Sequence, residues 1–318
     1  MTETTKTIFE KYQVRKSKKQ KSDFTEYIRS VADSGGYKFT TEKGRFGANN
    51  IIIGDVDSAK VIYTAHYDTC PVLPFPNFIT PKNFLIYLLY QIAIVCIFMV
   101  LPILIVGSIF LAIARNVGMD SDLAATIYMI IYYAILLLFL IFMTAGPANK
   151  YTANDNTSGV TTLIDTMSIL PDELRSSVAF VFFDLEEAGL LGSKGFYSKH
   201  KDAMKDKLLV NFDCVSDGEN ILIVAAKKSK KYADLLSEAF MDCEGIHTEI
   251  ATKGVFYPSD QANFPYGVGV ASLKYSKILR TYYMDKIHTG MDRVYREENI
   301  EFLANGAVKL ADILSHKQ

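Results

Sequence analysis

The chain has 318 residues, with 34 Lys and Arg against 35 Asp and Glu and a formal net charge of −1. That balance excludes a general electrostatic attraction to nucleic acid, and the length suits one large domain or two small ones. Mean hydropathy is nevertheless positive, so the chain carries apolar segments beyond an ordinary core.

Residues 1–23 are polar and basic, with no apolar stretch and no small-residue cleavage site, and do not read as a secretory signal. Residues 5–32 predict one charged amphipathic helix, ending near Ser34-Gly35-Gly36 where glycine offers a stop. Residues 50–54 and 61–65 are short β-branched and aromatic runs bounded by turn residues, and predict strands. Residues 84–114 then contain no charged side chain; Gln91 is the most polar and Pro102 offers a bend. At ~1.5 Å per residue this run exceeds a ~30 Å hydrocarbon core. Residues 123–145 form a second uncharged run, close to the ~20 residues a span needs. Two such runs in tandem predict a membrane hairpin rather than two buried core helices.

Beyond the hairpin, residues 155–170 predict a helix that stops before Pro171. Residues 177–183 are a continuous apolar strand of the kind buried on both faces. Residues 187–200 predict a helix interrupted by glycines. Further strands are expected at 208–212, 221–225 and 268–273, and amphipathic helices at 231–241 and 297–315. Strands alternating with helices imply an α/β domain with a mostly parallel central sheet flanked by helices. Residues 1–80 and 146–318 therefore form one discontinuous domain, and residues 81–145 are an inserted two-helix transmembrane hairpin. Lys11, Arg15, Lys16, Lys18, Lys19 and Lys21 precede the hairpin, Lys82 and Lys150 flank it, and its tip holds a single basic residue, Arg115. The excess of positive charge on one side predicts that both termini and the larger domain face the cytoplasm. The four cysteines show no CxxC spacing. Cys70 and Cys214 lie within two residues of Asp68 and Asp213, and free thiols there suit a reducing compartment.

The candidate functional residues sit at predicted strand ends. The strand at 61–65 runs into His66 and Asp68, that at 177–183 into Asp184, Glu186 and Glu187, and that at 208–212 into Asp213 and Cys214. Open parallel sheets place their sites at the carboxyl ends of strands. Asp155 opens a helix, and His288 lies in a loop-like segment. Neutral imidazole and carboxylate are good zinc ligands, and two metals held about 3.5–4 Å apart need a shared carboxylate. Asp155 is the candidate bridge. His66 and Asp213 complete one metal, and Glu187 and His288 the other. Glu186, next to a ligand, is left as the general base. Asp68 is placed to accept the second imidazole N–H of His66 and so fix its tautomer. Each residue has an ordinary reading by itself. A lone histidine is commonly a core or surface residue, an adjacent Glu pair suits a helix start, and Asn154-Asp155-Asn156 suits a turn and cap. The ordered set weighs against those readings: H-x-D, N-D-N-x-S-G, F-F-D-x-E-E-x-G-x-x-G-S, N-F-D and I-H-T-x-x-D.

With this set the chain resembles the dizinc aminopeptidases related to bacterial leucyl aminopeptidase and aminopeptidase S, a family of co-catalytic zinc exopeptidases. The matching residues are His66 and Asp68 in Ala-His-Tyr-Asp-Thr, Asp155 in Ala-Asn-Asp-Asn-Thr-Ser-Gly, Glu186 and Glu187 in Phe-Phe-Asp-Leu-Glu-Glu-Ala-Gly, Asp213 in Asn-Phe-Asp-Cys, and His288 in Ile-His-Thr-Gly-Met-Asp. The resemblance covers roughly residues 18–70 and 151–314. It implies a three-layer zinc-exopeptidase-like sandwich, two divalent ions (zinc by default), and the roles assigned above. Three departures stand out. The connection between the His66 motif and Asp155 contains the hairpin. Gln261 stands where relatives often carry His. Ile287 replaces a Tyr that some relatives place before the last ligand, which leaves oxyanion help to a metal or to a donor such as Tyr282 or Tyr283.

The expected activity is removal of N-terminal residues from peptides, with water activated by the metals and Glu186 as base. The aminopeptidase preference comes from the resemblance; the residues alone do not exclude a carboxypeptidase or dipeptidase. Two other classes are a non-catalytic membrane subunit that keeps the fold as a binding module, and a transporter. Retention of the full donor set argues against the first, and the absence of any carboxylate within the spans argues against the second. The expected partners are a peptide and, through residues 84–114 and 123–145, the bilayer. From Gly146 to Asp155 the chain extends at most ~3.3–3.6 Å per residue, or roughly 30 Å, which tethers Asp155 close to the end of the second span.

Overall fold

A computed structural model describes residues 2–316. In chain order the elements are α1 (Glu3–Lys11), α2 (Lys18–Ser34), β1 (Phe39–Lys43), β2 (Asn49–Ile53), β3 (Val61–His66), α3 (Phe84–Val95), α4 (Leu101–Asn116), α5 (Ser121–Ala145), α6 (Gly159–Ile169), β4 (Val178–Phe183), α7 (Leu191–Lys199), β5 (Leu208–Phe212), β6 (Asn220–Val224), α8 (Ala233–Ala239), β7 (His247–Ala251), β8 (Gly267–Ser276), β9 (Thr281–Tyr283) and α9 (Glu297–His316). The chain divides into two compact units. One runs up to Asn83 and resumes at Ala148; the other is Phe84–Pro147.

The larger unit is built on one sheet in the order β1-β2-β4-β3-β5-β8-β6-β7, with β9 paired to β8. The four central strands β4, β3, β5 and β8 are mutually parallel, while β2 and β6 run antiparallel to their neighbours β4 and β8. The sequence of β4 explains why it is central. Val178, Phe180 and Phe182 enter one core cluster, and Ala179, Val181 and Phe183 the other, so a strand with no polar side chain is buried on both faces. One face packs against Phe24 and Ile28 of α2, Leu163 of α6 and Leu303 and Leu310 of α9. The opposite face packs against Phe196 of α7 and Phe264. Polar groups interrupt this core at β3–β5, where Thr64 donates to Asn211 Oδ1 (2.8 Å) and Asn211 Nδ2 reaches Ser259 (3.0 Å) and Gln261 (3.2 Å).

The N-terminal segment corrects the expectation of one helix over residues 5–32. Ser17 and Gln20 form a reciprocal capping box that starts α2 afresh, and residues 12–17 between the helices turn inward. The cause is Arg15, which is fully buried. Its Nε donates to the Tyr67 carbonyl (2.5 Å), one terminal nitrogen to the Tyr12 carbonyl (2.7 Å), and both terminal nitrogens to Thr157 Oγ1 (3.3 Å). Its backbone N–H donates to Thr69 Oγ1 (3.1 Å). Burial pushes the guanidinium down to about 10 against the pull of Asp68 and Asp155. Two other helices start later than the sequence pattern suggests, at Gly159 rather than residue 155 and at Leu191 rather than residue 187. In both cases the residues before the helix leave helical geometry to present carboxylates.

In the smaller unit α3 and α4 are joined through a π-helical turn, Cys96–Val100, directly before Pro102. Proline removes a backbone donor and crowds the preceding turn, and a π-turn is the local adjustment. The continuous helical stretch Phe84–Asn116 has 33 residues and Ser121–Ala145 has 25, both long and apolar enough to cross a membrane. Their side chains are apolar all round: Leu85, Leu104, Ile130 and Leu138 are each more than half exposed. Helices of that kind belong in a core or in lipid.

Candidate metal centre

The parallel register brings three strand ends level. His66 of β3 lies opposite Phe183 of β4, and Thr64 opposite Asn211 of β5. The residues that follow, Glu186-Glu187 and Asp213, therefore leave the sheet at the same edge as His66. Asp155 arrives from the segment before α6. Its backbone, at φ −111° and ψ 95°, is not helical, and the Asp155–Asn156 peptide bond is cis.

Neighbouring residues hold Asp155 in place. Asp292 accepts the backbone N–H groups of Asn154 (2.8 Å) and Asp155 (2.9 Å), one on each oxygen. Asn154 Oδ1 accepts from Ser216 (2.7 Å) and Asp217 (3.0 Å), and Asn156 Nδ2 donates to the Phe212 carbonyl (3.1 Å). Asn156 thus ties the Asp155 segment to the end of β5, and Asn154 ties it to the loop that follows. Gly159 allows the approach, since a Cβ there would meet the Phe212 carbonyl oxygen at 2.2 Å.

The Asp155 carboxylate lies between two groups. His66 Nε2 is 3.2 Å from Oδ1 and 3.4 Å from Asp213 Oδ1. His288 Nε2 is 3.1 Å from Oδ2 and 3.3 Å from Glu187 Oε2. Ligand-type atoms of His66, Asp155 and Asp213 lie within 4.8 Å of one another, as do those of Asp155, Glu187, His288 and Cys70, and those of His66, Glu186 and Glu187. His288 sits at φ 65°, and its carbonyl accepts from Leu73 (2.8 Å).

Asp68 faces both His66 and the Glu186-Glu187 turn. His66 Nδ1 is closest to the Asp68 backbone carbonyl, at 3.1 Å, and the carboxylate stands 3.6 Å away. The carboxylate accepts the N–H groups of Glu186 (3.0 Å) and Glu187 (3.3 Å). Asp68 therefore sets the position of the Glu186-Glu187 turn. Asp184 anchors the same turn from behind, binding Lys21 (2.5 Å) and the N–H groups of Asn49 (3.0 Å) and Leu185 (2.9 Å).

The donors fit divalent cations. Asp213 Oδ1 and Glu187 Oε1 are buried and receive no hydrogen bond, which leaves both oxygens free to ligate, and an unpaired buried polar atom is costly. The titration of the bare groups reflects the same excess of acid. Burial pushes Glu187 up to about 8 with help from Asp155 and against His288, and raises Glu186 well above the carboxylate range against the pull of His66. Burial alone lowers His288, but Glu187 and Asp155 outweigh it and lift the imidazole to about 9. Imidazole nitrogen and carboxylate oxygen are the donors zinc takes.

The departures noted in the sequence have structural uses. Gln261 braces β5 and the Tyr257 carbonyl (2.8 Å). Ile287 is buried in a small apolar cluster with Met284 and Tyr257. Tyr282 packs on Tyr275 of β8, and Tyr283 on Phe78, so both rings are engaged in packing. Tyr257, which the sequence did not single out, donates its hydroxyl to the Asp213 carbonyl (2.9 Å). Asp292, Asn154 and Arg15 were likewise not assigned work. The I-H-T-x-x-D and N-D-N patterns contained the first two, and Arg15 was hidden in a basic run.

This fold and donor set define a metal-dependent peptidase of the zinc exopeptidase type. Among solved structures, the Legionella pneumophila LapA aminopeptidase aligns with TM-score 0.56 at 13% identity, covering 99% of this chain and 70% of that one. Porphyromonas gingivalis glutaminyl cyclase gives 0.56 at 14%, covering 98% and 97%. A Zn-dependent exopeptidase from Parabacteroides distasonis gives 0.52 at 14%, covering 98% of both chains. At these identities the likeness establishes the fold. No curated protein sequence matches. Peptidase family M28 matches residues 142–311, more than half of the chain, and the chain belongs to that family. The matched stretch contains Asp155, Glu186, Glu187, Asp213 and His288; His66 and Asp68 lie outside it, on the far side of the apolar insertion.

Because Asp292 accepts two N–H groups through two oxygens, an amide in its place turns one acceptor into a donor facing an N–H. Asp292→Asn should lower zinc affinity by roughly 10–100-fold, the usual effect of losing a group that orients a ligand. Competition titration against a chromophoric chelator measures this, and unchanged affinity would show that Asp155 needs no such clamp.

Proposed function

We propose that the chain is a membrane-anchored dinuclear zinc aminopeptidase. The observation that supports it best is the Asp155 carboxylate, with one oxygen facing His66 and Asp213 and the other facing His288 and Glu187. In this reading His66, Asp155 and Asp213 hold one ion, and Asp155, Glu187 and His288 the other. Bound ions would supply Lewis-acid polarisation of the scissile carbonyl and make water more acidic. Glu186 removes the proton from the attacking water and returns it to the leaving amine. Its raised proton affinity suits that exchange, and Asp68 holds it in place through the backbone N–H. The surplus of buried carboxylates attracts the α-ammonium of a substrate, which favours a free N-terminus over a free C-terminus. Phe84–Asn116 and Ser121–Ala145 cross the bilayer, with the larger unit and both termini in the cytoplasm. The short tether to Asp155 favours peptides made at, or held near, the membrane.

Purified full-length protein should hydrolyse aminoacyl chromogenic amides, lose activity to a chelator and regain it with zinc. N-acetylated peptides with a free C-terminus should remain intact, and a peptide with N-terminal glutamine should be cleaved rather than cyclised. Glu186→Gln should lower kcat by ~10²–10⁴-fold with metal content unchanged. Cleavage only from the C-terminus, cyclisation in place of hydrolysis, or a fully active Glu186→Gln variant would each defeat this reading. The membrane component has its own check. The protein should stay in the membrane pellet through alkaline carbonate extraction, and its release into the supernatant would remove the anchor from the proposal.

A further inference from the structure

We infer that Cys70 is a metal ligand, supplying its Sγ to the ion position shared by Asp155, Glu187 and His288; this rests on the dinuclear reading above. Cys70 Sγ belongs to one cluster with the ligand atoms of those three residues, all within 4.8 Å of one another. Donors around a common zinc stand roughly 3.5 Å apart, given ~2.3 Å for Zn–S and ~2.0–2.1 Å for Zn–N, so small side-chain rotations close the set. The thiol is 1% exposed. In the same cluster Glu187 Oε1 is buried without a hydrogen-bond partner, so that oxygen is free to ligate.

The backbone fixes Cys70 relative to His288. The Cys70 carbonyl accepts from Asn149 N–H (3.1 Å), and Asn149 Nδ2 donates to the Thr289 carbonyl (3.0 Å). Leu73 N–H donates to the His288 carbonyl (2.8 Å), and Pro71 bridges to Ala148. On the other side Arg15 pins the Tyr67 carbonyl and Thr69 Oγ1. Cys70 is therefore not a stray thiol at the end of a mobile loop.

The consequence is an asymmetric pair. One position has His66, Asp155 and Asp213 and keeps coordination open. The other has Asp155, Glu187, His288 and Cys70, a filled tetrahedral set of the kind structural zinc prefers. A thiolate also biases that position toward softer ions than an all-N/O site. The open position, beside Glu186, is then the one that turns over, and the filled one is the tighter.

Cobalt(II) titration of the full-length apoprotein tests the assignment by absorbance. Two equivalents should bind, and one should bring a sulfur-to-cobalt charge-transfer band in the near ultraviolet alongside the visible d–d bands. Cys70→Ala and Cys70→Ser should abolish that band, retain the d–d bands, and weaken the tighter of the two sites by roughly tenfold or more. Cys214→Ala, at the other buried cysteine, should leave the band intact. Two cobalt ions without the band, or a band that follows Cys214, would overturn Cys70 as ligand and leave the dinuclear reading standing. One ion with the band would keep Cys70 and overturn the second ion. No binding would overturn both.

Discussion

A single buried carboxylate, with its two oxygens facing opposite ways, sets the terms for the larger unit. Asp155 serves both imidazoles from a backbone that leaves helical geometry, and other bonds hold that geometry. Asp292 takes the two N–H groups, and Asn156 and Asn154 hook the segment to the end of β5 and the loop that follows. Every one of these partners is itself buried. A buried polar group left unpaired costs ~1–3 kcal/mol, so the network stabilises the site only when complete. The same logic applies to charge: Asp68, Asp155, Asp213, Glu186 and Glu187 converge with two histidines and one buried arginine, Arg15. Cations are the simplest way to balance such a cluster.

The sheet makes that convergence repeatable. Parallel strands in fixed register end level, so residues far apart in the chain leave at one edge. An insertion between β3 and α6 is tolerated because loop-closure entropy grows slowly with length, and the ends of the insertion are themselves tied. Pro71 bridges to Ala148, and Asn149 bonds to Cys70. The chain thus re-enters the larger unit at a point fixed by its own backbone, close in sequence to Asp155.

The central strands and the two long apolar stretches were legible in the sequence, since each rests on an uninterrupted run: Val178–Phe183 for a doubly covered strand, and residues 84–114 for a helix without charge. The edge strands were not. β1, with Phe-Thr-Thr-Glu-Lys, and β7, with His-Thr-Glu-Ile-Ala, are half polar because one side meets water, and such runs resemble loops. The site was legible as a set of residue types at strand ends, but the supports were not. Arg15 sits among Lys11, Lys16 and Lys18, and nothing in that run separates a buried guanidinium from solvated lysines; only the contacts with Tyr67 and Thr157 do. The second task of Asp68 was hidden for a related reason. Spacing from His66 suggested a side-chain partner; the backbone carbonyl lies nearer to Nδ1, and the carboxylate also holds the Glu186-Glu187 turn.

If Asp155 organises the centre by facing two cations, their positions are open to direct observation. Diffraction from crystals grown with zinc, recorded on both sides of the zinc absorption edge, should give two anomalous peaks about 3.5–4 Å apart. One should lie toward His66 and Asp213, and the other toward His288 and Glu187. A single peak, or peaks remote from the Asp155 carboxylate, would contradict a shared carboxylate as the organising feature of this enzyme.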